Sequence, residues 1–190
     1  MDYSQFIIIG IVLAILYFWY VSIISKKNQA LEALASVDVQ FKQRLDLIPN
    51  ILKVAKRFMT HEQTLLHDIT ALRTKVEQNY NKNDQQAVRE HLATVEQLAA
   101  KMGQFMVTVE NYPTLKSDQT MLQAMQTYNE VEAQIAAARR FYNTAVATLN
   151  NAVQIFPGNL LARLVGVAAM PFFAAEDAAR TPVDAGQVLR

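Results

Sequence analysis

The sequence predicts an all-α protein, with one N-terminal transmembrane helix followed by an antiparallel bundle of three to four long helices. Three observations lead to this prediction. An uncharged apolar stretch lies near the N-terminus, apolar residues recur every three or four positions over most of the remaining chain, and only 5 Gly and 5 Pro occur among 190 residues. Residues three and four positions apart share one face of an α-helix, and few helix-breaking residues are present to interrupt one.

Charge and cysteine content exclude several kinds of protein. The chain has 18 basic and 17 acidic residues and a formal net charge of +1, whereas nucleic-acid-binding domains are typically strongly basic. We therefore expect no nucleic-acid partner. The absence of cysteine excludes a disulfide framework, a thiolate metal site and a cysteine nucleophile. Packing alone is expected to hold the fold together.

The apolar stretch at residues 6–25 predicts a membrane span. Phe6–Ile24 are nineteen uncharged residues, which rise about 28 Å as a helix against a hydrocarbon core of about 30 Å. A cleaved signal peptide would carry basic residues before the apolar stretch, but here Lys26 and Lys27 follow it. We therefore predict an uncleaved anchor that binds the lipid bilayer, preceded by a short extracytoplasmic N-terminus at residues 1–5.

The flanks of the span predict its orientation. Tyr17, Trp19 and Tyr20 cluster near its C-terminal end, where amphipathic rings favour the headgroup boundary. Lys26 and Lys27 come directly after this boundary, and basic residues beside a span stay on the cytoplasmic side. The N-terminus is thus expected outside and the bundle in the cytoplasm.

The first helix of the bundle is expected to continue from the anchor. Its apolar face follows 3–4 spacing through Leu31, Leu34, Phe41, Leu45, Ile48, Leu52, Ala55, Met59, Leu66, Ile69 and Val76. Pro49 lies within this series and removes the ladder hydrogen bond to the carbonyl of Leu45, which predicts a kink. Because the register does not reset, a bent continuous helix is favoured over two helices. The polar segment NYNKND, residues 79–84, predicts the turn that ends it.

Two further amphipathic helices complete the predicted bundle, which extends over residues 26–158. The second has its apolar face at Val88, Leu92, Val95, Leu98, Ala99, Met102, Phe105, Met106 and Val109. Asn111-Tyr112-Pro113 ends it, and Ser117 or Asp118 can cap the third. The third has its apolar face at Met121, Met125, Tyr128, Ile135, Tyr142, Val146, Leu149, Val153 and Phe156, until Pro157-Gly158 ends it. Short loops between long helices favour antiparallel, coiled-coil-like packing.

The C-terminal part divides into two segments. Residues 159–175 are largely apolar but too short before Pro171 to cross a bilayer. They either dock on the bundle or lie in the membrane interface, and docking is favoured. Residues 176–190 mix Ala, Pro, Gly and charges without periodicity, which predicts a disordered tail.

No pattern of catalytic, metal-binding or cofactor-binding residues emerges. His61-Glu62 begins like a zinc-protease motif, but position 65 is Leu where the second histidine is required. Phosphate-binding glycine loops and nucleophile-elbow motifs do not occur in the sequence. We therefore expect a protein without catalytic residues, a cofactor or a metal ion.

Charged residues within the apolar faces are the remaining unusual feature. Five of them define the predicted polar cluster: Asp38, Glu62, Arg73, Glu132 and Arg139. Charges at such positions are costly unless they are paired. Either the bundle is open there and the side chains reach water, or they form a buried network that fixes register or offers a docking point. Arg139 would meet Asp38 if the third helix runs antiparallel to the membrane-proximal first helix, and Glu62 if it runs parallel.

Blocks of residues in this order resemble the signature of the LemA family of bacterial membrane proteins. The resemblance covers residues 26–162 and rests on the following blocks: Val37-Asp38-Val39-Gln40, Lys42, Arg44, Asp46-Leu47-Ile48-Pro49-Asn50, His61-Glu62, Ala71, Arg73, Tyr112-Pro113, Leu115-Lys116, Glu132, Ile135-Ala136, Ala138-Arg139-Arg140, Tyr142-Asn143, Val146, Asn150 and Phe156-Pro157-Gly158-Asn159. The chain departs from the pattern at Leu149, where the family usually has tyrosine, and around Pro171-Phe172-Phe173.

The resemblance implies a single-pass protein of the bacterial inner membrane with its N-terminus outside, a cytoplasmic helical bundle and no established enzymatic activity. Together with the residues, it leads us to expect a non-enzymatic scaffold or adaptor that binds protein partners or self-assembles as a homo-oligomer. Some family members are encoded near membrane proteases, so a regulatory subunit of such a protease is one alternative. A bundle enzyme that uses the polar cluster is the other.

Overall fold

The computed structural model describes residues 3–173, and every regular element in that range is helical. The elements are α1 (Tyr3–Ala55), α2 (Gln63–Val76), α3 (Gln85–Val109), α4 (Pro113–Lys116), α5 (Gln119–Gln154) and α6 (Gly158–Leu164). The all-α prediction is confirmed. The predicted disordered tail at residues 176–190 lies outside the described residues.

Helix α1 carries the predicted membrane anchor. Within the described range it is the one helix that is long and apolar enough to cross a membrane. Its first turns expose large apolar side chains such as Phe6 and Leu13, and from Ile23 onward it buries one face against the bundle. The anchor and the first bundle helix are therefore one uninterrupted helix of 53 residues.

Four long helical segments run alternately away from and towards the anchor. Arg44 of α1 pairs with Glu132 of α5, whereas Trp19 of α1 lies beside Gly158, just beyond the other end of α5. Helix α5 is thus antiparallel to α1, and the two pack along much of their length. Asp68 of α2 pairs with Lys101 of α3, and these two helices form an antiparallel hairpin on the same core.

The expected continuous helix up to Val76 is wrong, because the chain leaves the helix after Ala55 and starts α2 at Gln63. Pro49 lies inside α1 and does not end it. The amide of Met59 donates to the carbonyl of Ala55 at 2.9 Å, and the Met59 side chain is 1% exposed in the core. A buried residue in the connection preserves the apolar register across a reversal of chain direction, so the register alone could not reveal the break.

The other helix boundaries follow the predicted turn chemistry. Asp84, the last residue of the predicted turn, caps α3 by accepting a hydrogen bond from the amide of Gln86 at 2.9 Å. Asp118, one of the two predicted capping residues, caps α5 by accepting from the amide of Met121 at 3.0 Å. These short side chains satisfy amide groups that have no partner within their own helix. They fix the two direction changes that flank α3.

The core is formed by the predicted apolar faces. Most of their large members are buried, including Phe41, Ile48, Ile69, Leu98 and Phe105, and four others are partly buried: Leu31, Met106, Met125 and Val153. The main exception is Phe156, which was predicted to end the third apolar face and is 73% exposed. It lies beyond the end of α5, where the chain turns and no longer follows the helical register.

Candidate functional site

The polar groups of the bundle gather around the ring of Phe41, halfway along the bundle part of α1. Phe41 is 2% exposed, and its ring lies 6.4 Å from the ring of His91 and 6.0 Å from that of Phe173. The guanidinium carbons of Arg44 and Arg139 lie 5.2 Å and 5.8 Å from its centroid. Cations over an aromatic face are attracted by its quadrupole. Phe41 thus joins α1, α3, α5 and the C-terminal segment.

Beside Phe41 lies a pocket of about 280 Å³, which we call the Asp38 pocket, and four of its eleven lining residues are joined by polar contacts: Asp38, Tyr80, Lys82 and His91. The Tyr80 hydroxyl donates to both carboxylate oxygens of Asp38, at 3.0 Å and 3.2 Å. Lys82 forms an ion pair with the same carboxylate, and His91 Nε2 lies 3.9 Å from its Oδ1. The rings of Tyr80 and His91 stack with centroids 3.9 Å apart. The turn between α2 and α3 is thereby fixed onto α1.

Burial is the main cause of the pKa shifts of His91 and Tyr80 in the Asp38 pocket. Burial lowers the pKa of His91, and this outweighs the attraction of Asp38, while Lys82 lowers it further. Burial also raises the pKa of Tyr80, and the neighbouring Asp38 carboxylate raises it more. At neutral pH the His91 imidazole is therefore neutral and the Tyr80 phenol is protonated.

Arg44 is the most deeply buried charge of the described chain and was not predicted. Its side chain is 0% exposed and donates to Glu132 Oε1 at 3.1 Å, while Glu132 is 33% exposed. Tyr128 lies beside both groups, and burial, followed by the Glu132 charge, raises the pKa of its hydroxyl. Arg44 follows Phe41 by three positions and precedes Ile48 by four, so its place on the apolar face could have been read from spacing.

The predicted polar cluster is distributed over several contacts. Asp38 lies in the pocket described above, and Glu132 binds Arg44. The Arg139 guanidinium packs against Phe41 and lies 5.1 Å from the ring centroid of Phe173. The antiparallel course of α5 is the geometry for which we expect Arg139 and Asp38 to meet. Coupling between these two charges stays a prediction.

The two remaining members of the predicted cluster lie further from the membrane. The hydroxyl of Tyr112 donates to Glu62 Oε1 at 3.5 Å, which places Glu62 at the far end of the bundle. Arg73 Nε donates to the backbone carbonyl of Leu45 at 3.0 Å. This carbonyl is the one that Pro49 leaves without its intrahelical donor. Arg73 therefore replaces the missing hydrogen bond and joins α2 to α1.

On the other side of Phe41, α5 holds the chain beyond α6 by its backbone. We call residues 167–173 the C-terminal strap. Asn150 donates to the carbonyl of Met170 at 2.9 Å and accepts from its amide at 2.8 Å. Asn143 makes the same pair of bonds with Phe173, at 3.3 Å and 3.0 Å. The Tyr142 hydroxyl donates to the carbonyl of Pro171 at 2.8 Å.

The strap also buries every third side chain. Val167, Met170 and Phe173 are 6%, 9% and 3% exposed, and Phe173 packs edge-on against Tyr142. Gly166 has φ of 66°, a conformation that favours glycine, and turns the chain from α6 into the strap. The apolar C-terminal segment thus docks on the bundle as far as it is described.

The predicted membrane-interface residues lie where α1 meets the end of α5. Tyr17 and Tyr20 are exposed, whereas Trp19 is half-buried and faces α5. Lys26 bends back and donates to the hydroxyl of Ser22 at 2.7 Å. Lys27 is half-buried one residue further on.

Metal-binding side chains do not converge in residues 3–173. No group of three or more His, Asp or Glu residues there is arranged to hold a metal ion. His61, which begins the incomplete zinc-protease motif, is exposed.

The span, the bundle and the polar groups around Phe41 define a membrane-anchored helical-bundle protein. The sequence profile of the LemA family matches residues 33–185, which is most of the chain. The chain belongs to the LemA family, and the predicted family is thereby confirmed.

Proteins of magnetotactic bacteria are similar to part of the chain. Magnetosome protein MamQ 2 and magnetosome protein MamQ 1 of Paramagnetospirillum magneticum are each 34% identical to it over 89 residues. Magnetosome protein MamQ of Magnetospirillum gryphiswaldense is 32% identical over 89 residues. In each case the match covers 47% of this chain and 33% of the relative. The chain therefore matches about a third of the length of these relatives.

Proposed function

We propose that the protein is a non-enzymatic scaffold or adaptor of the bacterial inner membrane, whose cytoplasmic bundle binds extended segments of protein partners, including those of a second copy. The observation that carries the proposal is the way Asn143 and Asn150 hold the C-terminal strap. Each asparagine side chain donates to the backbone carbonyl and accepts from the backbone N–H of one and the same strap residue. Membership of the LemA family supports a membrane-associated helical protein of this kind.

Backbone pairing of this type suits the recognition of protein segments. A carboxamide carries both a donor and an acceptor, so it can pair with the backbone of any residue except proline. The two asparagines are seven positions apart, which places them on one face of α5. Pockets that bury every third side chain then add selectivity for an apolar-x-x-apolar-x-x-apolar segment. The surface that receives the strap, which we call the groove and which includes Asn143, Asn150 and Tyr142, thus combines the two kinds of contact that peptide-binding surfaces use.

A second copy of the chain fits this groove because it carries the same strap sequence. The strap is connected to α6 through the single turn at Gly166, so the same residues of a neighbouring copy could make the same contacts. Exchange of an identical segment between copies creates an oligomer without requiring new contacts. We therefore propose strap exchange as the route to the expected homo-oligomer.

Co-purification of two differently tagged full-length copies, expressed together and extracted in mild detergent, tests this proposal. The wild-type copies should purify together, and Asn143→Ala with Asn150→Ala in both copies should reduce the recovered partner at equal expression. Asn129→Ala is the matched control, because Asn129 lies exposed on the same helix. Circular dichroism should show that all variants remain helical.

The outcomes separate strap exchange from the protease-subunit alternative. Equal recovery with the groove variant and the wild type would refute strap exchange. Recovery of no second copy, together with crosslinking to a membrane protease that depends on Asn143 and Asn150, would instead support the protease-subunit alternative.

A further inference from the structure

Exposed apolar side chains are concentrated at the corner between α5 and α6. In the described chain beyond the predicted span, five of the ten exposed large apolar residues lie within residues 155–165, which we call the α5–α6 corner. These five are Ile155, Phe156, Leu160, Leu164 and Val165. The other five are distributed over four different elements. A cluster of this kind on an otherwise polar surface marks an interaction site.

The corner buries two of its small residues and exposes five of its six large apolar ones, the sixth being the partly buried Leu161. Gly158 and Ala162 face the bundle, whereas Phe156 is 73% and Leu164 is 81% exposed. A Cβ atom at Gly158 would lie 2.1 Å from the carbonyl oxygen of Ala152, so only glycine allows α6 to fold so closely against α5. The fold thereby leaves the five exposed apolar side chains of the corner outside the protein core.

The corner lies at the depth of the membrane. A Cβ atom at Gly158 would lie 3.4 Å from Cζ3 of Trp19, and an apolar groove of about 490 Å³ between α1 and α5 is lined by Trp19 and Ile155, among others. Trp19 is six residues before the end of the predicted span at residue 25, which corresponds to about 9 Å along a helix. A bilayer that surrounds residues 6–25 must therefore reach the corner.

Three basic residues lie beside the corner and the end of the span. Arg163 lies in the last turn of α6, and Lys26 and Lys27 directly follow the span. The next charged residue along α1 is Glu32. Long basic side chains extend to lipid phosphates while their stems remain in apolar surroundings. The surface next to the span thus matches anionic lipid headgroups.

We infer that the α5–α6 corner is a second membrane attachment, embedded in the interfacial layer of the leaflet on the bundle side. The partner is phospholipid, whose acyl chains contact Phe156 and Leu164 and whose phosphates lie near Arg163 and Lys26. The inference rests on insertion of residues 6–25 in the bilayer and is independent of partner binding through the strap. It would hold the bundle against the membrane at two points.

Spin-label accessibility in nanodiscs of phosphatidylethanolamine and phosphatidylglycerol tests the inference on the full chain. Because the chain has no cysteine, Phe156→Cys and Leu164→Cys each create a single labelling site. Leu13→Cys, in the span, is the lipid-exposed reference, and Leu122→Cys, on the distant part of α5, is the water-exposed reference. Each of these leucines is more than half exposed. Accessibility is measured to molecular oxygen, which concentrates in lipid, and to a water-soluble nickel chelate.

Labels at positions 156 and 164 should show higher oxygen and lower nickel accessibility than the label at position 122, with values between those at positions 122 and 13, because the interfacial layer is shallower than the middle of the span. Labels that instead match the one at position 122 would overturn the inference, since the corner would then lie in water. Low accessibility to both reagents would also overturn it, because protein rather than lipid would cover the corner. Circular dichroism of each labelled variant establishes that the helical fold is retained.

Discussion

Arg73 should be needed for stability only while Pro49 interrupts the hydrogen-bond ladder of α1. Arg73 Nε donates to the carbonyl of Leu45 at 3.0 Å, and Leu45 is 4% exposed, so water cannot readily replace this donor. Arg73→Met keeps an apolar stem of similar length but removes the donors. A hydrogen bond from a charged group to a buried acceptor contributes roughly 1.5–3 kcal/mol, so we expect a loss of about 2 kcal/mol in the free energy of unfolding.

A double-mutant cycle isolates this hydrogen bond. Pro49→Ala restores the amide that α1 lacks, and in that background Arg73→Met should cost less than about 1 kcal/mol, a coupling of at least about 1 kcal/mol. The exposed ion pair of Arg73 with Glu77, at 2.9 Å, contributes about 0.5 kcal/mol or less in both backgrounds and cancels. Lys75→Met, an exposed change on the same helix, should remain within about 0.5 kcal/mol of the wild type.

The assay is chemical denaturation of the full chain in mild detergent, followed by far-UV circular dichroism. All four chains of the cycle should unfold with the same denaturant dependence, so that midpoints can be compared directly. An equal cost of Arg73→Met with and without Pro49 would refute the reasoning. Arg73 would then stabilise α2 by other contacts, and the carbonyl of Leu45 would not depend on it.

Three further predictions concern protonation, buried charge and topology. Because the pKa of His91 is lower in the folded chain than in the unfolded chain, the unfolded chain takes up this proton first and the free energy of unfolding should fall as pH drops below about 6.5. His91→Gln should make that fall shallower in a pH series of denaturation curves, and parallel curves would contradict this. Glu132→Gln should lower the free energy of unfolding by about 2–3 kcal/mol in chemical denaturation, less than the loss of a fully buried pair would, because Glu132 is 33% exposed. Adding Arg44→Met to the same chain should recover much of this loss, and additive losses from the two changes would disprove the pairing. Because Lys26 and Lys27 place the bundle on the cytoplasmic side, protease added to intact spheroplasts should leave the bundle uncut. Digestion of the bundle while cytoplasmic markers survive would show the reverse orientation.

The helices were predictable because their apolar faces repeat over many turns, whereas the ends of the first helix were not. The spacing of apolar residues indicates which residues share a helix face but not whether the chain reverses direction. Because Met59 is buried, the 3–4 spacing continues across the connection at residues 56–62 although the helix ends there. That connection contains no glycine or proline. It was therefore invisible to a search for turn residues.

The candidate site was only partly predictable, because its partners come from elements far apart in the sequence. Asp38 and Glu132 could be recognised as charges on apolar faces, but their partners Tyr80 and Arg44 depend on the packing of different helices. Tyr80 is the one aromatic residue of its polar turn, a signal that points to a contact without naming it. The role of Asn150 required knowledge that the chain returns along α5.

Because α1 is unbroken, the span and the bundle are rigidly connected. About thirty residues of the helix, from Lys26 to Ala55, continue beyond the span, a reach of about 45 Å. No loop separates the part of α1 in the bilayer from the part in the core. A rotation or a change of tilt of the span is therefore transmitted to the bundle. A span that tilts to match a thinner bilayer would therefore tilt the bundle with it as one body, and the α1–α2 connection, at the far end of α1, would move furthest.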